Sequence, residues 1–269
     1  MKDITLIFPP QWVPDHPYLS VPVLSSFLEE KGFNSVQKDV NLMCYDYFLS
    51  RTGLEFYYDL LEKKSTDGNE KIMKKRKFYH TIGDMIIKNV ESAKFNLQNG
   101  KKIFEAFTLL RTALEMISST YDSSVISLDS YETQYSPYSI HDINSSIRDS
   151  ENNIFQAIFS NHIVPALLHT NPHLFAISIT HTSQLIPGLT LASELKDQGD
   201  HPFIVAGGPF FSAYSDSWKR LKPLFEYIDS IIFFDGETAL ASLIERIEGG
   251  RDLSSVPNIL YREGDHLRR

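Results

Sequence analysis

The chain has 269 residues, 42% of them hydrophobic, and one cysteine. That is enough for a self-sufficient core, arranged as one large domain or two ordinary ones. Lys and Arg number 26 against 34 Asp and Glu, and the resulting charge of −8 argues against a nonspecific nucleic-acid binder. Cys44 alone closes no intramolecular disulfide, builds no zinc knuckle and holds no iron–sulfur cluster. No apolar run approaches about 18 residues, so neither a membrane span nor a membrane partner is expected. Lys2 and Asp3 lead straight into a short apolar run and two prolines, without a secretory pattern, which makes a cytoplasmic protein the expectation.

The run Ile4-Thr-Leu-Ile-Phe8 is short, apolar and partly β-branched, and Pro9-Pro10 stops it, which predicts a buried first strand. Val21 to Lys31 places Val21, Leu24, Phe27 and Leu28 on one helical stripe, with Gly32 at the C-cap. Asn34 to Val40 fits a second strand, and a right-handed crossover makes the pair parallel.

From Leu42 to about Pro172 the pattern is mainly helical. Seven Lys or Arg residues lie between Lys63 and Lys77, interrupted by Thr66-Asp67-Gly68-Asn69; this reads as a solvated turn between helices, with a phosphate-binding patch as the alternative. Phe104, Phe107, Leu110, Leu114 and Ile117 form an apolar helical stripe. The stretch Ser118 to Ser150 reads as an ordered loop system with short helices, because Tyr121, Tyr131, Tyr135 and Tyr138 stand among its hydroxyl residues. Helix resumes from Asn153 to Leu168, with Ile154, Ile158 and Leu168 on its apolar side.

Alternating strands and helices return at His173. Leu174–Thr180 has the near-continuous apolarity of a central parallel strand. Leu185, Leu189, Ala192 and Leu195 mark a helix with Pro187 in its first turn. Phe203–Ala206 and Ser230–Phe234 are further buried strands; Asp235-Gly236-Glu237 opens a helix carrying Leu240, Leu243, Ile244 and Ile247, and Gly249-Gly250 closes it. Five strands predict an α/β, flavodoxin-like, doubly wound parallel sheet of order 2-1-3-4-5 with a large helical insertion. Residues 1–41 and 172–269 would form the Rossmann-like domain and 42–171 the insertion packed on it. Ile259-Leu-Tyr261 looks like a small terminal strand followed by a turn at Glu263-Gly264-Asp265, with no return partner, so a longer parent chain is expected.

In such a sheet, ligands gather beyond the C-terminal strand edges. Those edges deliver Pro9-Pro10-Gln11-Trp12, then Ser178, Thr180, His181, Thr182 and Gln184, then Gly207-Gly208-Pro209, then Asp235-Gly236-Glu237. Gly207-Gly208 allows close backbone approach by a bulky planar ligand, or simply a turn at positive φ. The hydroxyls of Ser178, Thr180 and Thr182 can donate to amide or phosphate groups, or cap the next helix. His181 is a candidate axial metal ligand or proton-transfer group, or a hydrogen-bonded loop histidine. Glu237 reads as a cap or ligand-bonding group, favoured by the helix dipole, rather than a base. Asp15-His16 and His141-Asp142 lack a third ligand. The dinucleotide and Walker A fingerprints are absent, as is the hydrolase elbow, which disfavours nicotinamide, P-loop and serine-hydrolase chemistry.

Taken in order, Leu6-Ile-Phe-Pro-Pro10, Leu24-x-x-Phe27-Leu28-x-x-x-Gly32-Phe33 and Asp39-x-Asn41 open a pattern that continues with Ser178-Ile-Thr-His-Thr-Ser-Gln184. Val205-Ala-Gly-Gly-Pro209, Asp235-Gly-Glu237, Gly249-Gly-Arg-Asp-Leu253 and Val256-Pro257 complete it. The series resembles the amino-terminal cobalamin-binding domain of cobalamin-dependent radical S-adenosylmethionine enzymes. The middle region, including Tyr135-Ser-Pro-Tyr138, looks like the enlarged version found in a subgroup with peptide- and small-molecule-modifying members. The resemblance implies a corrin over the C-terminal sheet edge, with its nucleotide tail near the loops after strands one, three and four. Carried over by position, Ser178, Thr180, Gly207 and Gly208 are its implied contacts, with Pro10, His181, Thr182, Gln184, Pro209, Gly236 and Glu237 around them. Asp15-His16-Pro17 does not match the D-x-H-x-x-G motif that supplies a lower histidine ligand elsewhere, so the axial ligand stays open.

The resemblance also implies a radical domain outside this chain, whose three cysteines hold a [4Fe-4S] cluster that cleaves S-adenosylmethionine, with methyl transfer from cobalamin in methyltransferase members. The chain has no C-x-x-x-C-x-x-C set, so alone it would bind the cobalt cofactor without catalysing the reaction. The implied partners are the corrinoid, the radical domain and a peptide or small-molecule substrate. The rival readings are a stand-alone corrinoid-binding or sensory module, and a flavodoxin-like domain for another ligand.

Overall fold

In a computed structural model, residues 4–64, 69–198, 200, 202–250 and 252–269 are described. The turn expected at Thr66-Asp67-Gly68, and Arg251 of the quoted series, lie outside them. The first unit is β1 (Ile4–Phe8), α1 (Ser20–Glu30) and β2 (Ser35–Asp39). Gly32 at φ 84 ends α1: its N–H bonds the Glu29 carbonyl at 2.9 Å and the Phe33 N–H bonds that of Leu28 at 2.9 Å, the paired bonds of a left-handed helix stop.

The helical region follows as α2 (Val40–Phe48), α3 (Arg51–Lys63), α4 (Glu70–Gln98) and α5 (Ile103–Ser118). A two-stranded hairpin comes next, β3 (Val125–Ile126) with β4 (Tyr131–Glu132), then α6 (Ile140–Arg148) and α7 (Ile154–Ile158). The single helix expected from Asn153 to Leu168 is interrupted. A π-turn at Phe159–Ile163 joins α7 to α8 (Val164–Leu168). Pro165 explains the break: it has no N–H and its ring would crowd the carbonyl four residues back, so the chain widens one turn earlier.

The remaining strands and α-helices are β5 (Leu174–Ser178), α9 (Leu185–Gln198), β6 (Phe203–Gly207), the short α10 (Pro209–Ser212), β7 (Ser230–Ile232), α11 (Gly236–Glu248), β8 (Ile259–Glu263) and β9 (His266–Arg268). The main sheet runs β2-β1-β5-β6-β7-β8-β9. Its first five strands are parallel, and β8 and β9 join antiparallel. The expected five-stranded, wholly parallel sheet is therefore corrected to a mixed sheet of seven. The missing return partner is β9, which pairs Tyr261 with Arg268 across the Gly264 turn at φ 58.

Side chains alternate across the pleat, and this sorts the core into two layers. Ile7, Phe175, Ile177, Ala206 and Ile231 point to one face, where they share a continuous core with α9 and the helical region, including Phe48, Tyr57 and Phe155. Leu6, Phe8, Ala176, Val205 and Ile232 point to the other, against Val21 and Leu28 of α1 and Leu240 and Leu243 of α11. Leu28 is fully buried, a burial that contributes about 1.5–3 kcal/mol. The expected stripe on α5 divides: Leu110, Leu114 and Ile117 are buried, whereas Phe104 and Phe107 are exposed.

Candidate functional site

A cavity of about 600 Å³ opens at the C-terminal edge of the parallel strands, on the face covered by α1 and α11. Register builds its back wall. Ser178, Gly207 and Ile232 stand abreast on β5, β6 and β7, with Ala176 and Val205 one pleat below. Leu24 and Leu240 close the sides from the two helices, and Leu19, Val23 and Phe234 leave apolar surface exposed at the mouth. An apolar slot with a few polar groups at one end suits a planar ligand with a polar extension.

The polar groups are few. Ser178 Oγ donates to Ser20 Oγ at 2.9 Å, tying β5 to the first residue of α1. That helix begins with no side-chain cap and no acidic residue in its first turn, and Ser20 and Val21, whose N–H groups open it ahead of Pro22, line the cavity. The start of α11 also lines the cavity and has no side-chain cap, but there Asp235 and Glu237 supply negative charge. An anionic group therefore finds its favourable position at α1, and donor groups such as amides find theirs at Asp235 and Glu237.

Aromatic packing holds the loop between β1 and α1. Phe8 and Tyr18 stack at 5.6 Å, Trp12 meets both edge-on, and Trp12 Nε1 donates to the His16 carbonyl at 2.7 Å. The Trp12 N–H donates to Asn41 Oδ1 at 3.0 Å, and Gln11 Nε2 donates to Tyr45 Oη and the Ser127 carbonyl.

Of the residues singled out from sequence, Ser178, Gly207, Gly208, Pro209, Gly236 and Glu237 line the cavity. Pro10, Thr180, His181, Thr182 and Gln184 do not. Gln184 is fully buried and organises its own loop: its Oε1 accepts from Thr180 N–H at 2.9 Å, Thr180 Oγ1 at 2.7 Å and His181 N–H at 3.2 Å, while Nε2 donates to the Pro9 carbonyl at 2.8 Å. The exposed His181 ring caps the turn at Thr182–Gln184 by accepting from the Ser183 N–H. Gly208 has φ 109 and ψ 172, and a Cβ there would sit 2.4 Å from the Ile179 carbonyl oxygen, so the turn itself requires glycine. Gly207 is different: it has no positive φ, and its backbone lies open to the slot.

The sequence reading missed Pro17, Tyr18, Leu19, Ser20, Val23, Leu24 and Phe234. The available signal was surplus apolarity: Leu19 and Val23 are not needed by the core stripe of α1. Asp15 and His16 pair at 2.6 Å, as do His141 and Asp142 at 3.3 Å, all outside the cavity lining. Among the described residues no group of three or more His, Cys, Asp or Glu is placed to hold a metal. Cys44 is buried on α2, where burial pushes its thiol pKa up.

Fold and cavity together define a mixed α/β domain, broadly flavodoxin-like, with a ligand-sized cleft at the C-terminal strand edge. No family model matches the chain. It is similar to an uncharacterised methyltransferase of Pyrococcus horikoshii, 26% identical over 98 residues, which are 36% of this chain and 20% of that protein. Two solved structures of the radical S-adenosylmethionine methyltransferase TsrM from Kitasatospora setae align with the whole chain at 14% identity and a TM-score of 0.45. One holds tryptophan and a S-adenosylmethionine analogue, the other cobalamin and a [4Fe-4S] cluster. This chain covers 30% and 28% of them, so it spans less than a third of each of these relatives.

Proposed function

We propose that the chain binds cobalamin as the amino-terminal part of a cobalamin-dependent radical S-adenosylmethionine enzyme of the methyltransferase kind. The observation that carries the reading is the cleft at the strand edge: an apolar slot, the start of α1 with neither cap nor carboxylate in its first turn, and an exposed apolar mouth. A volume of about 600 Å³ suits a nucleotide tail rather than an entire corrinoid. The tail base would lie between Leu24, Ala176, Val205 and Leu240, and its phosphate at the first amides of α1 beside Ser20 and Ser178. The ring would rest on Leu19, Val23 and Phe234, with its amide side chains toward Asp235 and Glu237. A bound corrinoid supplies a cobalt centre able to carry a methyl group, chemistry that no side chain here provides. The protein's own part is to shield one face from water and to fix the ring by its tail.

Likeness to a methyltransferase over 98 residues supports the methyltransferase part of this reading. S-adenosylmethionine, the [4Fe-4S] cluster and the peptide or small-molecule substrate would belong to a radical domain beyond this chain. Thr180, His181, Thr182 and Gln184 would act by shaping the loop beside the cofactor, with Pro10 at its base. The reading is tested by following the visible spectrum of hydroxocobalamin titrated with the chain and with Val23→Trp, which fills the mouth from an exposed helix position. One-to-one binding that the variant weakens at least about tenfold is expected. A folded chain that leaves the spectrum unchanged and binds no cobalamin refutes it.

A further inference from the structure

We propose that the α4–α5 hairpin is a docking surface for an anionic lipid bilayer. The two helices form an antiparallel pair joined at residues 99–102, and their tip is solvent-exposed. Around the tip, from 91 to 111, the sequence holds four Lys or Arg against two Glu, an excess of positive charge on a chain of net −8. The same hairpin carries Phe78, Met85, Phe95, Ile103, Phe104 and Phe107, which are half of the large hydrophobic side chains exposed among the described residues. Phe104, at the tip, is 81% exposed. Lys101 and Lys102 precede it and, among the described residues, make no ion pair, whereas Lys94 is taken up by Glu91 at 3.7 Å; Glu105 follows it.

Charge and shape choose the occupant. An exposed apolar tip of Phe95, Ile103, Phe104 and Phe107 beside two lysines needs a partner that is deformable, apolar beneath and negative at its surface, which describes lipid acyl chains under anionic headgroups. Single-stranded nucleic acid is disfavoured: all the exposed basic residues of the hairpin but Arg111 are lysines, which lack the planar guanidinium that stacks on bases and grips phosphate in two places. A second copy is disfavoured as well. Two like tips would bring Lys101 and Lys102 of each copy together, and like charges repel. Expecting no membrane partner rested on the length of apolar runs, which tests for a span; a span is still absent, since no described helix is long and apolar enough to cross a membrane.

The test is flotation of the 269-residue chain with vesicles of phosphatidylglycerol and phosphatidylcholine, against vesicles of phosphatidylcholine alone. Binding to the first and not the second is expected, falling about tenfold with Phe104→Ser and with Lys101→Glu, and weakened by salt. Both positions are exposed, and circular dichroism verifies that each variant is folded. Failure of the folded parent to float with anionic vesicles overturns the proposal, as does binding that Phe104→Ser leaves unchanged. Binding to a single-stranded oligonucleotide without binding to vesicles, or self-association abolished by Phe104→Ser, overturns it in favour of those occupants.

Discussion

Gly208→Ala isolates what the turn after β6 demands of the chain. At φ 109 and ψ 172 the residue lies in a region open essentially to glycine alone, which costs any other residue about 1–3 kcal/mol. The new Cβ would also sit 2.4 Å from the Ile179 carbonyl oxygen and 2.9 Å from its carbon. Those are backbone atoms that cannot rotate aside, so β5 and β6 must part by about 1 Å and loosen their packing. Together the loss is about 2–4 kcal/mol, or roughly 4–7 °C in melting temperature for a domain of this size. Gly207→Ala is the control: its Cβ would meet the Ile232 carbonyl oxygen at 3.3 Å with no positive φ to strain, for a loss below about 1 kcal/mol. Thermal unfolding followed by far-ultraviolet circular dichroism compares the two. A Gly208→Ala protein that melts within about 2 °C of the parent, or no lower than Gly207→Ala, refutes the reasoning.

Gln184→Leu keeps side-chain bulk but strands the Thr180 and His181 N–H groups and the Pro9 carbonyl in a buried loop; chemical denaturation should register a loss of about 2–4 kcal/mol, and a change under 1 kcal/mol by that method, about the size of a surface substitution, counts against the role assigned to it. Burial raises the phenol pKa values of Tyr45, Tyr57 and Tyr121, and pushes that of Tyr131 up to about 12 from 10.0. Between those values the folded chain holds protons that the unfolded chain gives up, so this contribution to stability is whole below pH 10 and is lost as pH rises toward 12 and beyond. Tyrosinate absorbance from these residues should thus emerge together with loss of helix signal, and their ionisation near pH 10 in a fully helical protein would contradict that.

Much of the sheet was legible in the sequence because parallel strands buried on both faces read as short apolar runs with stops. Ile4–Phe8, Leu174–Ser178 and Phe203–Gly207 are such runs, and helices between them dictate crossovers. β9 was not legible: His266-Leu-Arg268 is a short, largely polar edge strand, and only the Gly264 turn announced it. The two-residue strands β3 and β4 carry no period at all. On α5 the periodicity of Phe104 and Phe107 was real, yet periodicity states which residues share a face and not whether anything covers it.

The site was half legible for a related reason. Strand ends are ordered by topology, so Ser178, Gly207 and Glu237 could be placed beside one another before any side chain was seen. The loop from Pro17 to Ser20 has no period, and its position depends on the packing of Phe8, Trp12 and Tyr18. Thr180 and Gln184 have the chemistry of ligand contacts but spend their polar groups on one another, a pairing that sequence does not disclose.

The central claim is that the cleft between α1 and α11 receives the nucleotide tail of a corrinoid. Cobinamide carries the corrin ring without that tail, so the ratio of its affinity to that of cobalamin, measured by the same spectral titration, isolates the cleft. The account predicts that cobalamin binds at least about a hundredfold more tightly, a difference of roughly 2.7 kcal/mol, and that Leu24→Trp, which fills the slot rather than the mouth, removes most of the advantage. Equal affinities for the two, or no binding of either to a folded chain, would contradict it.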